Sequence, residues 1–311
     1  MKLFLRRLTI TLFLASAVFA APIMFDAAKA AERQSEGVID LLRKVGVWGC
    51  QFQNLDPKKI AMSELDLIVV DPILNSRDIA AEVVQSMKRR PDGRRRLVMA
   101  YLSLGEAENY RDYWQDEWSK KPPSWMGPEN PNWPNNFVVR YWDPDWQTLQ
   151  FGQPNAILDR IIRAGFDGVF LDRVDAYADW EEENTDGQDQ MIHLVSSLAK
   201  YAREKVQNFL VMAQNAEELL SDPRYLRTVN GINKEDLFFG LSGPEIPNTE
   251  PEVKWSLVRL RAAQQHGMEI FAIEYLHDEQ KISIAKRRFS ELGFRPFFGH
   301  RMLDRMPGVL P

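Results

Sequence analysis

Two carboxylates each close a segment of the chain that reads as a β-strand. Asp172 follows Val169–Leu171, and Glu235 closes the segment that begins at Gly231. An acid at the end of a buried segment is partly desolvated, so its pKa can be tuned for proton transfer. Glycoside hydrolysis requires such a pair, in which one carboxylate attacks or orients and the other protonates the leaving oxygen. Asp172 and Glu235 are therefore the candidate catalytic pair.

Other chemistry has less support in this sequence. The structural alternative for Asp172 is a salt bridge to Arg173 or Lys234. The four histidines are scattered, and none has a partner at the spacing typical of a metal site. Ser103 lies in no Gly-x-Ser-x-Gly elbow, and no histidine is placed to activate it. The predicted chemistry therefore uses no metal and no cofactor.

The two acids can act together only if the elements that carry them lie close in space. Apolar segments recur along the chain, rich in Val, Ile, Leu and Phe on both faces, as in strands that helices cover. The predicted strands are Val45–Gln51, Leu65–Asp71, Leu97–Leu102, Gly168–Asp172, Phe209–Ala213, Gly231–Glu235, Ile270–Tyr275 and Arg295–Gly299. Asp172 and Glu235 end the fourth and the sixth of these strands.

Start and stop signals for helices lie between the strands. The predicted helices with clear signals are Arg77–Arg90 after a Ser76 cap, Asn155–Ala164 before Gly165, Val253–His266 after the capping-box pair Thr249 and Glu252, and a last helix from Asp278 to Gly293. This repeated alternation predicts an α/β fold, a (β/α)8 TIM barrel. The alternative is a doubly wound sheet, which is weakened because no glycine-rich phosphate loop follows the first strand.

One segment interrupts the alternation after the third strand. Residues 110–150 are longer than an ordinary barrel loop and hold six of the nine tryptophans. We expect about half of these rings to pack the insertion onto the barrel. One or two, with Trp142 as a candidate, are predicted to form platforms for sugar rings, because the apolar face of a pyranose covers an indole well.

The start of the chain reads as a secretory leader. Basic residues precede the apolar run Leu8–Ala20, and Ala28–Ala30 offers a small-residue cleavage site. We therefore predict a signal peptide over residues 1–30, a single barrel domain over residues 31–311, and a secreted or periplasmic protein without stable membrane insertion. The alternative is an uncleaved anchor, although the apolar run is short for a membrane span.

The amino-acid composition indicates which classes of partner and which kind of fold suit the chain. A net charge of −5 argues against a nucleic-acid partner and suits a neutral or cationic one. The single cysteine, Cys50, cannot form an internal disulfide and is expected to be a buried, inert thiol. With 311 residues, 45% of them hydrophobic, the chain can build the core that an exported protein without disulfides needs.

Four segments together resemble glycoside hydrolase family 114, whose characterised members are endo-α-1,4-polygalactosaminidases. The segments are Ala100–Glu108, Val139–Pro144, Gly165–Tyr177 and Gln214–Glu217. The resemblance covers most of the chain after the leader and is greatest to the extracellular branch once labelled cysteinyl-tRNA-synthetase-like. That label does not fit, because the chain has neither a His-Ile-Gly-His nor a Lys-Met-Ser-Lys-Ser motif.

The resemblance implies a barrel in which Asp172 is the nucleophile and Glu235 the acid/base. It also implies further residues along the cleft, namely Asp71, Tyr101, Glu106, Asn215 and Glu274. Asp175, close to the pair in sequence, is expected to position substrate or to hold its loop. The implied reaction is the cleavage of internal α-1,4 linkages in an amino-sugar polysaccharide. We also expect retention of configuration, which requires carboxyl groups about 5–5.5 Å apart rather than roughly 6.5–9.5 Å. The Trp-rich insertion departs from the characterised members and leaves the polymer open.

The charge of the predicted cleft fits such a substrate. Unacetylated galactosamine is cationic near neutral pH, so a mouth lined with carboxylates would concentrate the chain. The competing function is a non-catalytic barrel that binds polysaccharide during export or assembly, since a fold does not guarantee a function. A metal-dependent deacetylase would require a His/Asp ligand cluster, which the sequence does not suggest.

Overall fold

A computed structural model describes residues 37–306. The signal peptide predicted at residues 1–30 lies outside the described residues. The strands are β1 (Trp48–Gln51), β2 (Leu67–Val70), β3 (Ile73–Leu74), β4 (Arg77–Asp78), β5 (Leu97–Ser103), β6 (Glu106–Glu108), β7 (Met126–Glu129), β8 (Asn136–Val139), β9 (Gly168–Asp172), β10 (Leu210–Gln214), β11 (Gly231–Glu235), β12 (Glu269–Glu274) and β13 (Arg295–Phe298).

Eight of these strands form one parallel sheet, in the order β1, β2, β5, β9, β10, β11, β12, β13. The sheet nearly closes on itself, so that its first and last strands meet. The Trp48 indole N–H of β1 donates to the Arg295 carbonyl of β13 at 2.9 Å. Inside the barrel, the Trp48 ring lies 5.1 Å from Phe271 and 5.7 Å from Phe297 between centres. Cys50 is buried, as expected. The predicted (β/α)8 barrel is confirmed.

Helices connect the barrel strands. They are α1 (Pro57–Ala61), α2 (Ala81–Met87), α3 (Pro144–Gln150), α4 (Ile157–Ala164), α5 (Gly187–Lys205), α6 (Pro223–Thr228), α7 (Glu250–Gln265) and α8 (Glu279–Leu292). The capping box of Thr249 and Glu252 starts α7 as predicted, Asp278 caps α8, and Gly293 ends α8 with a φ of 68°. Among residues 37–306, no helix is both long and apolar enough to cross a bilayer.

The helix predicted over Arg77–Arg90 is wrong at its start. Asn75 and Ser76 have positive φ angles of 52° and 61°. These two residues turn the chain between the antiparallel strands β3 and β4. Ser76 therefore lies in a hairpin turn and cannot cap a helix, and α2 starts only at Ala81.

The Trp-rich insertion follows the third barrel strand, as predicted, and its strands β7 and β8 form an antiparallel sheet with the preceding β6, in the order β6, β8, β7. Four of its tryptophans, Trp114, Trp118, Trp125 and Trp146, pack in sequence against one another. Trp118 lies 5.2 Å from Trp125, and Trp125 lies 5.0 Å from Trp146, between ring centres. The buried Trp146 indole donates to the Leu104 carbonyl at 2.9 Å. This cluster anchors the insertion to the end of β5.

Candidate active site

Four neighbouring strands bring polar side chains together at the C-terminal end of the barrel, where this fold places its chemistry. In sheet order from β5 to β11, these side chains are Tyr101, Asp172, Gln214 and Glu235. The strands can pack this closely partly because Gly168 has no side chain. A Cβ at Gly168 would lie only 2.3 Å from the Leu210 carbonyl oxygen of β10.

A single amide joins the two candidate carboxylates. The Gln214 Nε2 donates to Asp172 Oδ1 at 3.1 Å and to Glu235 Oε2 at 2.7 Å. The Gln214 carbonyl oxygen accepts from the buried Asn233 amide at 3.4 Å, which sets the direction of the Gln214 amide. The structure therefore brings Asp172 and Glu235 together across one side chain.

Further donors surround the Asp172 carboxylate. The Tyr101 hydroxyl donates to Oδ2 at 2.9 Å. The Arg173 backbone N–H donates to Oδ1 at 2.8 Å, and Arg173 has a positive φ of 55°. The left-handed backbone at Arg173 ends β9 and turns its N–H toward the carboxylate. Asp172 is thereby held with both oxygens hydrogen-bonded.

The Glu235 carboxylate has a similar set of donors. Its Oε1 accepts from the Tyr275 hydroxyl, and its Oε2 accepts from the Asn215 amide at 3.2 Å. The Asn215 side-chain oxygen, Oδ1, in turn accepts from the Glu235 backbone N–H at 3.1 Å. Tyr275 directly follows β12, so neighbouring strands fix the Glu235 side chain from both sides.

Burial raises the pKa of both carboxyl groups. The pKa of Asp172 rises to about 7, because the group is desolvated and because the Glu235 charge is close. Desolvation also raises the pKa of Glu235, against the hydrogen bond from Tyr275, which lowers it. Interacting carboxyls titrate as a pair, so the raised pKa values belong to the pair as a whole rather than to either residue. One charged and one protonated group is the state in which one carboxyl attacks and the other donates a proton.

No salt bridge to Asp172 occurs in the part of the chain that the structure describes. The Arg173 guanidinium points instead to other acids and lies 2.8 Å from Glu106. The Lys234 ammonium lies 3.3 Å from Glu217. The structural alternative, a salt bridge from Asp172 to Arg173 or Lys234, is therefore wrong.

The sequence pattern of the glycoside-hydrolase family GH114 matches residues 29–308. The chain belongs to glycoside hydrolase family 114. A protein of Deinococcus radiodurans is 35% identical over 271 residues, which cover 85% of this chain and 83% of that protein. A protein of Methanocaldococcus jannaschii is 34% identical over 275 residues, which cover 85% of this chain and 74% of that protein.

Solved structures share the barrel of this family 114 chain. The glycoside hydrolase domain of PelA from Pseudomonas aeruginosa has a TM-score of 0.65 at 18% identity, over 84% of this chain and 97% of that domain. Ega3 from Aspergillus fumigatus, solved in complex with galactosamine, has a TM-score of 0.59 at 19% identity, over 84% of this chain and 94% of the other. At these identities the likeness shows the fold.

Three other acids predicted along the family 114 cleft have basic partners. Asp71 accepts from Arg111 at 2.8 Å. Glu106 is buried beside Arg173, and Asp175 lies 3.4 Å from the same guanidinium. These acids are therefore held in place by arginines, which partly neutralise their charges. Their contacts with substrate stay predictions.

Of the predicted cleft residues, Glu274 does not reach the pair. Glu274 is fully buried, and its Oε1 accepts from the Phe238 backbone N–H at 2.7 Å. Side chains alternate along a strand, so Tyr275 faces the pair and Glu274 faces the helices. The expectation that Glu274 lines the cleft is wrong for this reason. Trp142 packs edge-on against Trp180 at 5.7 Å between ring centres, and its role in substrate binding stays a prediction.

Gln214 and Tyr275 are site residues that the sequence patterns above do not predict. Gln214 falls one residue after the predicted strand Phe209–Ala213, and Tyr275 ends the strand predicted over Ile270–Tyr275. An uncharged polar residue at the end of a buried strand can predict a site residue just as an acid there does. Gln214 and Tyr275 both occupy such positions.

Glu274 provides a test of how its buried carboxyl contributes to stability. Its pKa is raised to about 8 by desolvation, and its Oε2 has no hydrogen-bond partner among residues 37–306. Because the folded-state pKa lies above the unfolded one, the contribution to stability is complete below the unfolded pKa. It is lost as the pH rises through about 8.

Replacing Glu274 with glutamine, which stays neutral, should therefore stabilise the protein at alkaline pH. We expect the Tm of Glu274→Gln to exceed that of the wild type by about 2 °C or more at pH 9, and the gain to vanish toward pH 5. The exposed Glu204→Gln on α5 is the matched control. An equal gain at both pH values would contradict an origin in ionisation.

Proposed function

We propose that this family 114 chain is an exported hydrolase that cleaves internal α-1,4 linkages of a galactosamine-containing polysaccharide. Residues 1–30 would be its removable leader, residues 31–311 its single catalytic domain, and the periplasm or the cell exterior its place of action. The observation that carries the proposal is the pair of Asp172 and Glu235 at the ends of β9 and β11, whose carboxylates share the Gln214 amide and form no salt bridge among residues 37–306.

The reaction needs only these two carboxyls and water. An Asp172 oxygen attacks the anomeric carbon while Glu235 gives its proton to the leaving glycosidic oxygen, so one C–O bond forms and one breaks. A water molecule then attacks the same carbon, Glu235 takes the water proton, and the ester bond to Asp172 breaks. The donors from Tyr101 and from the Arg173 backbone stabilise the departing Asp172 carboxylate.

The distances around Gln214 favour retention of configuration. Its nitrogen lies 3.1 Å from Asp172 Oδ1 and 2.7 Å from Glu235 Oε2, so these oxygens can be no farther apart than the sum of the two distances. That limit is shorter than the roughly 6.5–9.5 Å between the carboxyls of inverting enzymes and is near the about 5–5.5 Å of retaining ones. Asp172 is then close enough to act as the nucleophile.

An amino sugar is supported by the charge beside the pair. Arg173 is surrounded by three acids, Glu106, Asp175 and Asp179, so this cluster keeps an excess of negative charge. A cationic sugar would be attracted to it and a polyuronate repelled. Ega3, which shares the fold, was solved in complex with galactosamine, and we extend that ligand class to this chain as part of the proposal.

The proposal is tested with purified protein and a panel of polymers. The panel contains deacetylated and acetylated polygalactosamine, a neutral glucan and polygalacturonate, and the readout is the appearance of new reducing ends. We expect release from deacetylated polygalactosamine at a rate at least about tenfold above that from polygalacturonate. Binding without release would favour the non-catalytic barrel. Release only from neutral or acidic glycans would contradict the charge argument.

A further inference from the structure

Most rings of the Trp-rich insertion are packed, but Tyr110 at its start is not. Trp125 and Trp146 are buried, and Trp114 lies 5.1 Å from Phe137 between ring centres. Tyr110 keeps 61% of its surface exposed. The ring therefore contributes little to the core, and its position needs a different explanation.

The Tyr110 ring is held in place by its neighbours. Its hydroxyl donates to Glu108 Oε1 at 2.7 Å, and the Arg111 guanidinium carbon lies 5.3 Å from the ring centre. Arg111 is itself fixed by Asp71 at 2.8 Å, and both Glu108 and Arg111 are buried. One side of the ring is thus supported by protein while much of its surface remains in water. A fixed ring loses little conformational entropy when a ligand stacks on it.

The contacts of Arg111 place Tyr110 on the rim of the active site. The Arg111 guanidinium carbon also lies 5.9 Å from the centre of the Tyr101 ring, and the Tyr101 hydroxyl is bound to Asp172. Phe52, from the loop after β1, packs on the same Tyr101 ring at 4.5 Å between centres. Tyr110 is therefore two side chains outward from the catalytic carboxylate, on the side where Phe52 and Tyr101 form an aromatic wall.

We propose that Tyr110 is a distal sugar-binding subsite, on which the apolar face of a hexosamine unit stacks beyond the unit held at Asp172. This inference rests on the proposed function and refines it. A pyranose presents C–H bonds on one face, and an aromatic ring with a free face matches them. The subsite lies away from the bond that is cleaved. It therefore favours long oligomers over short ones and does not discriminate between reacting sugars.

The test compares hydrolysis of a long and a short α-1,4-galactosamine oligomer by the full chain. We expect Tyr110→Ala to lower the ratio of kcat/KM for the long oligomer over the short one by about tenfold, mainly through KM. Tyr110→Phe, which keeps the ring, should retain most of the preference. Trp255→Ala on α7 is the matched control, because Trp255 is 40% exposed and also stacks with an arginine, Arg259, at 4.0 Å.

Each outcome decides between the subsite and its alternatives. An unchanged ratio in Tyr110→Ala beside an active wild type would overturn the subsite and leave the proposed function standing. An equal loss on both oligomers, or a lowered Tm in Tyr110→Ala, would show a structural role and also overturn it. A wild type that neither binds nor cleaves either oligomer would overturn the proposed function, and the subsite with it.

Discussion

Replacing Asp172 with asparagine is expected to lower kcat by about 10⁴-fold or more. An amide oxygen is a poor nucleophile, and asparagine cannot form the ester that the proposed mechanism requires. Replacing Glu235 with glutamine should cost about 10²–10⁴-fold, because the amide cannot protonate the leaving oxygen. Both changes preserve shape, so the Tm of each variant should stay near that of the wild type. Rates of reducing-end release and thermal melts of the purified variants measure both quantities.

Matched controls are available on the outer helix α5. Asp189→Asn and Glu204→Gln make the same chemical changes at exposed positions, and both should have normal turnover. Near-normal turnover in either Asp172→Asn or Glu235→Gln would remove that residue from the mechanism. A large fall in Tm in either variant would show that the variant is unfolded. Its loss of turnover would then say nothing about the mechanism.

Replacing Gln214 with leucine is also expected to slow the reaction, although Gln214 has no charge. Its amide is the donor that both carboxylates share. Without it the two carboxyls are no longer held at a fixed separation, and a displacement of about 1 Å can cost about 10²-fold in rate. We expect kcat to fall by about this factor with little change in KM, since the amide contacts the catalytic groups.

The pH profile distinguishes this positioning role from a structural one. Hydrogen-bond donors lower the pKa of a carboxylate, so losing one raises it. The acid limb of kcat/KM in Gln214→Leu should therefore move to higher pH. The control is Gln150→Leu, because Gln150 is also buried and its amide has no hydrogen-bond partner within residues 37–306. A wild-type rate and pH profile in Gln214→Leu would contradict the role.

The barrel and its carboxylate pair are predictable because both depend on strong local patterns. Strands that helices cover are apolar on both faces, so the eight segments stand out from the sequence. An acid at the end of such a segment lies at the mouth of the barrel, and this position makes Asp172 and Glu235 candidates. Because the carboxyl ends of parallel strands meet at one edge, the two acids are expected to lie close together.

The wrong predictions concern features that the local pattern does not encode. Glu274 ends its strand just as Asp172 does, but a shift of one residue turns a side chain to the opposite face of a strand. Ser76 looks like a helix cap, yet Asn75 and Ser76 have left-handed backbones that complete a hairpin. The tryptophan content of the insertion does not reveal which rings pack together, since that depends on tertiary contacts. The exposed position of Tyr110 is hidden in the sequence for the same reason.

The stereochemistry of the first product tests the central claim most directly. We would follow the wild type acting on deacetylated polygalactosamine by proton NMR from the first minutes, with Asp172→Asn as the blank. The proposed mechanism predicts that α-anomer reducing ends appear first and that the β-anomer grows in later by mutarotation. A β-anomer that appears first would contradict Asp172 as the nucleophile. The absence of any new anomeric signal would contradict the assignment of this chain as a galactosaminidase.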